Sequence, residues 1–140
     1  MTALRPMSSS AVPNLQGVVA LVVDDDADTR DIFAMSLMHA GAEVEVAGSA
    51  REALTLVRSR VPDVVVTDIS MPGHDGVWLL KQIKTSREVA HVPVVAVTAH
   101  RQMYAPQQML DAGFHKYMTK PVDPWLLCTA VHEVIADSRR

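Results

Sequence analysis

The run VVALVVDDD, residues 18–26, joins six consecutive apolar residues to three consecutive aspartates. Apolar, largely β-branched residues at successive positions describe a strand covered on both faces, as in a parallel sheet. Two further runs share the character, VVV at 64–66 and VVAV at 94–97, and each is closed by a polar residue, Asp68 and Thr98. Glu43-Val44-Glu45-Val46 alternates instead, which predicts an edge strand with one wet face. Tyr117-Met118-Thr119 is a short fifth candidate, followed by Lys120-Pro121.

Between these strands the apolar spacing is helical. Phe33, Leu37 and Ala40 form one stripe; Ala50, Ala53, Leu54 and Val57 a second; Leu79, Leu80 and Ile83 a third; Leu127, Val131 and Val134 another. Ser49 with Glu52 reads as a capping box, and Asp123-Pro124 as an N-cap followed by proline in the first turn. Asp26 is read as the cap of the first helix, and Gly41 and Gly113 stand where helices should end. Pro106 predicts that the fourth helix starts late, near that proline. The alternation β-α repeated five times calls for a doubly wound parallel sheet, and the order 2-1-3-4-5 places the alternating second strand at an edge. In such sheets the site lies beyond the carboxyl ends of the strands, where the strand order reverses.

Composition narrows the class. The chain has 140 residues, 49% hydrophobic and 21% charged, which suits one soluble domain. Thirteen basic against sixteen acidic residues give a net charge of −3, so neither nucleic acid nor a membrane surface is an expected partner. Cys128 is the single cysteine, which excludes an internal disulfide. Neither a membrane-spanning run nor a signal-peptide pattern is apparent, and the expected location is cytoplasmic. Residues 1–17, with three consecutive serines and two prolines, are expected to form a flexible N-terminal tail, and 18–140 the folded domain.

The polar residues that close the strands converge at one rim. Asp24, Asp25 and Asp68 would crowd three carboxylates together, and a hard divalent cation, best Mg²⁺, would relieve their repulsion. A turn or a cap can explain a single aspartate after a strand, but neither calls for Thr98 and Lys120 at the same rim.

At this point the sequence resembles the response regulator receiver domain of the chemotaxis type. The matching motifs are VVDDD (22–26), DVVVTD (63–68), MPGHDG (71–76), VTA (97–99) and YMTKPVD (117–123), in order over about residues 18–137. The resemblance implies a flavodoxin-like fold and a phosphoacceptor signalling module of two-component or phosphorelay systems, not an enzyme apart from its own phosphorylation and dephosphorylation. It implies Asp68 as acceptor from a phosphohistidine, and Mg²⁺ held by Asp24, Asp25, Asp68 and the backbone carbonyl of Ser70. Lys120 and Thr98 would bind phosphoryl oxygens. Thr98 and Tyr117 would couple the charge at Asp68 to the surface formed by helix 4, strand 5 and helix 5. The Lys120-Pro121 bond is expected to be cis. A histidine kinase or histidine phosphotransfer protein would supply the phosphoryl group, with an unspecified downstream protein as target.

Some residues depart from the family pattern or lie outside its chemistry. His74 is read as a solvent-facing loop residue. His100 and Ser70 occupy positions that tune acyl-phosphate hydrolysis in the family. Gly73 and Gly76 are assigned to the turn into helix 3. Trp78, Trp125 and Cys128 are read as packing residues, and the methionines as core filler. No output domain is expected in the chain; Asn14-Leu15-Gln16-Gly17 resembles the lead-in to receivers of hybrid histidine kinases, whereas Met1 points to a separate polypeptide. Two other classes remain for comparison. A haloacid dehalogenase-type phosphatase would need a threonine or valine where Asp28 stands and a cap domain. A pseudo-receiver binding module would lack the acceptor, the acidic pair or the lysine.

Overall fold

The computed structural model describes residues 13–99 and 105–139. Five strands, β1 (Val19–Val23), β2 (Glu43–Ala47), β3 (Val64–Asp68), β4 (Val94–Thr98) and β5 (Lys116–Thr119), alternate with helices α1 (Ala27–His39), α2 (Ala50–Ser59), α3 (Gly76–Thr85), α4 (Pro106–Ala112) and α5 (Pro124–Ser138). The strands form one sheet of order β2-β1-β3-β4-β5, and every pairing is parallel. β3 and β4 are buried throughout, whereas the edge strand β5 is half-buried along its length. This is the doubly wound arrangement that the alternation of elements predicts.

Two cores follow from the pleat. Leu21, Val23, Val65 and Ala96 point to one face, where they meet Leu54 and Val57 of α2, Leu79, Leu80 and Ile83 of α3, and Met109 of α4. Ala20, Val22, Val66, Val95 and Val97 point to the other, against Phe33 and Leu37 of α1 and Leu127, Val131 and Val134 of α5. All the predicted helical stripes are therefore inside.

The caps fall at the residues read for them, with one shift in partner at Ser49. Asp26 accepts from the Asp28 N–H and, at 2.6 Å, from the Thr29 hydroxyl. Ser49 Oγ accepts from the Glu52 N–H, while Glu52 reaches the N–H of Gly48 rather than of Ser49, so the box closes one residue further back. Asp123 accepts from the Trp125 N–H, and α4 starts at Pro106. Gly113 ends α4 in the left-handed region at φ 119°, and Gly41 follows α1 at φ 110°.

Several expectations need correction. The tail does not extend to residue 17: Leu15 is fully buried against the α1/α5 core, and its N–H donates to the Ala40 carbonyl at 2.8 Å. A leucine at the end of a polar stretch has enough apolar area to draw its neighbours into the fold. The expectation for residues 1–12 lies outside the described residues, as does His100. Helix α1 carries apolar residues on both sides, with Ile32, Met35 and Met38 half to two-thirds exposed, so the methionines are not uniformly core filler. Trp125 is 41% exposed, because its place in the first turn of α5 turns it away from the sheet, while Cys128 is buried. In β2, Val44 packs on the core but Val46 stays 41% exposed, so the wet face is broader than the alternation implies.

Candidate phosphoacceptor site

Each candidate residue sits at the carboxyl end of a strand or just beyond it, because the apolar runs end together at one rim of the sheet. β3 runs two residues past its apolar stretch, through Thr67 to Asp68, and β4 ends at Thr98. Both are buried, as is Asp24, whereas Asp25 is exposed. The carboxylates of Asp24, Asp25 and Asp68 converge, their nearest ligand atoms all within 4.8 Å of one another. β5 reaches this rim through Lys120, whose N–H donates to the Thr98 carbonyl at 2.9 Å. Its ammonium then lies 2.8 Å from Asp24 Oδ2 and 3.5 Å from Asp68 Oδ2. The Lys120-Pro121 peptide bond is cis.

The electrostatics follow from burial and crowding. Burial pushes the Asp68 carboxyl above the ordinary aspartate value; the Lys120 ammonium opposes that, Asp24 adds to it, and the N–H groups of Ser70 and Ile69 oppose it. Burial alone would lower Lys120, but its hydrogen bond to Asp24 and the charges of Asp68 and Asp24 outweigh it and hold the ammonium above the usual lysine value. One ammonium stands against three carboxylates. That surplus of oxygen donors and negative charge fits a hard divalent cation such as Mg²⁺.

The loop after β3 is built around Asp68. The Gly76 N–H donates to the Ile69 carbonyl at 2.9 Å, and Asp75 caps α3 by accepting from the Trp78 N–H at 2.8 Å. A Cβ on Gly76 would fall 2.5 Å from the Asp68 carbonyl oxygen, so close approach requires glycine there as much as the turn does. Gly73, at φ 79° with open space around it, serves the turn alone. Ser70 directs its N–H toward Asp68 and lies at the start of this loop. His74 is not solvent-facing. It is half-buried, stacked on Trp78 with ring centroids 3.9 Å apart, and its Nε2 lies 3.3 Å from Arg51 Nη2. His74 precedes the Asp75 cap, so the stack joins the loop to the first turn of α3, a contact that helical periodicity does not announce.

Tyr117, on β5, is half-buried and packs against the α2/α3 core. Its hydroxyl is buried and has no hydrogen-bond partner among the described residues. It lines a groove with Pro106, Leu110, His115 and Val134 on the α4-β5-α5 side. Arg30 is a residue the sequence reading missed. Its Nη1 donates to the Asp24 carbonyl at 3.2 Å, and nothing in a solvent-facing helix pattern announces that contact.

The convergence of three carboxylates with a lysine at the switch point of a 2-1-3-4-5 sheet defines the receiver class, and comparison with known proteins agrees. Residues 20–132 match the response regulator receiver domain family. The chain belongs to that family, a component of two-component systems. An uncharacterized 14.6 kDa protein of Leptolyngbya boryana is 41% identical over 113 residues, 81% of this chain and 86% of that protein. The DNA-binding transcriptional regulator NtrC of Klebsiella pneumoniae is 37% identical over 109 residues, 78% of this chain and only 23% of the regulator's length. Among solved structures, a CheY-like receiver domain protein from Methanospirillum hungatei superposes with a TM-score of 0.80 at 27% identity, over 87% of this chain and 96% of that one. Among the described residues no helix is long and apolar enough to cross a membrane.

Proposed function

We propose that this receiver domain accepts a phosphoryl group on Asp68 from a phosphohistidine of a histidine kinase or histidine phosphotransfer protein, in the cytoplasm. The observation that carries the reading is the convergence of the Asp24, Asp25 and Asp68 carboxylates within 4.8 Å, with the Lys120 ammonium against two of them. An Asp68 carboxylate oxygen attacks phosphorus, the P–N bond to the histidine breaks, and an acyl phosphate forms with the electron pair left on imidazole. Phosphoryl transfer needs chiefly alignment and neutralisation of the equatorial oxygens. Lys120 is placed to supply a point charge to one oxygen, and the Thr98 hydroxyl to donate to another. Asp24, Asp25, Asp68 and the Ser70 carbonyl would hold Mg²⁺, which when bound neutralises phosphoryl charge. Water attack on the same phosphorus returns Asp68 to a carboxylate.

The exposed Ile32, adjoining Lys120, Pro121 and Val122 beside the site, offers apolar surface that suits docking of the phosphohistidine donor. The added charge of about −1.5 to −2 at Asp68 would draw the Thr98 hydroxyl inward and let Tyr117 follow, changing the α4-β5-α5 surface that a downstream protein reads. The Tyr117 hydroxyl supports this: it has no hydrogen-bond partner among the described residues, and a buried phenol in that state is held at a cost that a second position can relieve.

The test is incubation with Mg²⁺ and acetyl phosphate followed by intact-mass measurement. The wild-type chain should gain one phosphoryl group, and Asp68→Asn none. A wild-type chain that gains nothing, or an Asn variant labelled as fully, would overturn the assignment.

A further inference from the structure

Arg30 reaches back from the first turn of α1 beneath the acidic loop. Its Nη1 donates to the Asp24 carbonyl oxygen at 3.2 Å, and its Nε is buried. That carbonyl belongs to the peptide unit between Asp24 and Asp25. A peptide unit is planar, so fixing its oxygen fixes the plane from which the Asp25 Cα–Cβ bond departs. The preceding residue is held as well. The Asp24 N–H donates to the Ala47 carbonyl at 3.1 Å, and its carboxylate takes the Asp26 N–H at 2.9 Å and Lys120 at 2.8 Å. Asp25 is exposed, and its aim depends on the peptide plane before it.

A second residue marks the contact as built. A Cβ on Gly48, in the loop after β2, would lie 3.0 Å from Arg30 Nη1. Glycine there leaves the guanidinium room to lie across the end of β2 and reach the carbonyl.

We propose that Arg30 is a positioning residue for the divalent cation: it clamps the Asp24–Asp25 peptide and thereby aims the Asp25 carboxylate at the site shared with Asp24 and Asp68. This deepens the phosphoacceptor reading and rests on it. The sign of the effect separates the clamp from simple electrostatics. A cation seated on the Asp24 carbonyl repels a divalent ion bound beside it, so removing its charge should tighten Mg²⁺ binding if charge were its whole role. A clamp predicts the reverse.

The experiment is calorimetric titration of the full chain with MgCl₂, alongside melting temperatures in the absence of the metal. Arg30→Met, which keeps the apolar stem, should weaken Mg²⁺ roughly tenfold, the scale seen when a group that orients a metal ligand is removed. Arg30→Lys, which can still donate to the carbonyl, should recover most of the affinity. Gly48→Ala, which crowds the guanidinium and leaves its charge, should weaken binding in the same direction and decides the matter if the Met variant does not fold. Unchanged or tighter binding in Arg30→Met, or in Gly48→Ala where only that variant folds, overturns the proposal. A wild-type chain that binds no Mg²⁺ overturns the phosphoacceptor reading itself, so the two failures are distinguishable.

Discussion

A Cβ on Gly76 would lie 2.5 Å from the Asp68 carbonyl oxygen and 3.0 Å from the Ile69 Cα, both backbone atoms with no freedom to swing away. The same carbonyl accepts the Thr67 hydroxyl at 2.9 Å, so it is held from both sides. Gly76→Ala should therefore displace the end of β3 that carries the acceptor. Expected is a lower melting temperature together with acetyl phosphate labelling slowed about ten- to a hundredfold, the scale of an ångström-sized misplacement. Gly73→Ala provides the contrast. Its φ of 79° makes any side chain strained by about 1–2 kcal/mol, but with nothing within 4 Å the acceptor should not move and labelling should keep its rate. Equal labelling rates in both variants would contradict the role given to Gly76. The pair also shows how far sequence reading goes for single residues. Both glycines read as turn residues in MPGHDG, and only the contact with Asp68 separates them.

At the scale of elements, the β4–β5 pairing carries a pH-sensitive contact. The Val94 N–H donates to His115 Nδ1 at 3.3 Å, and the His115 N–H donates to the Val94 carbonyl at 2.8 Å. Burial, aided by the Lys84 charge from α3, holds His115 below the ordinary histidine value. Lys116 beside it and Asp137 of α5 are the charged groups that line the same groove. A depressed histidine binds its proton more weakly in the folded chain than in the unfolded one. Stability is therefore fullest above about pH 6.5, the unfolded value, and is lost as pH falls from there toward the lower folded value. Melting temperature should drop between pH 7.5 and 5.5, and His115→Asn, which can still accept the Val94 N–H without titrating, should shrink that drop. An identical drop in the variant would assign it elsewhere. Element boundaries were legible where chemistry punctuates them, as at Asp26, Ser49, Pro106 and Asp123. The outward face of α1 was not: Ile32, Met35 and Met38 have helical spacing of their own, and periodicity alone does not say which of two apolar stripes the sheet covers.

For the whole molecule, the packed unit includes residues ahead of β1. Leu15 is fully buried, and Leu15→Ala should cost about 2–5 kcal/mol in denaturant unfolding, as for other buried leucines, whereas a cost near zero would return residues 14–17 to the tail. The acidic rim also bears on global stability. Three carboxylates gathered by folding would bind a divalent ion that the unfolded chain would not, so millimolar Mg²⁺ should raise the melting temperature, and should raise it less in Asp25→Asn. Indifference of the wild-type melting temperature to Mg²⁺ would count against a metal at this rim.

Strand and helix order, the sheet topology, and the residues gathered at its rim were all determined by local pattern. Continuous β-branched runs require two covered faces, right-handed crossovers leave few ways to supply them, and the residue that ends each run must emerge on the same side. What only the tertiary structure decided were contacts between segments distant in sequence: Leu15 under Ala40, Gly76 against the Asp68 carbonyl, Arg30 on the Asp24 carbonyl beside Gly48. The reason is physical. Periodicity reports which side of an element is apolar, whereas a close approach depends on where two backbones, each placed by its own core, come to lie.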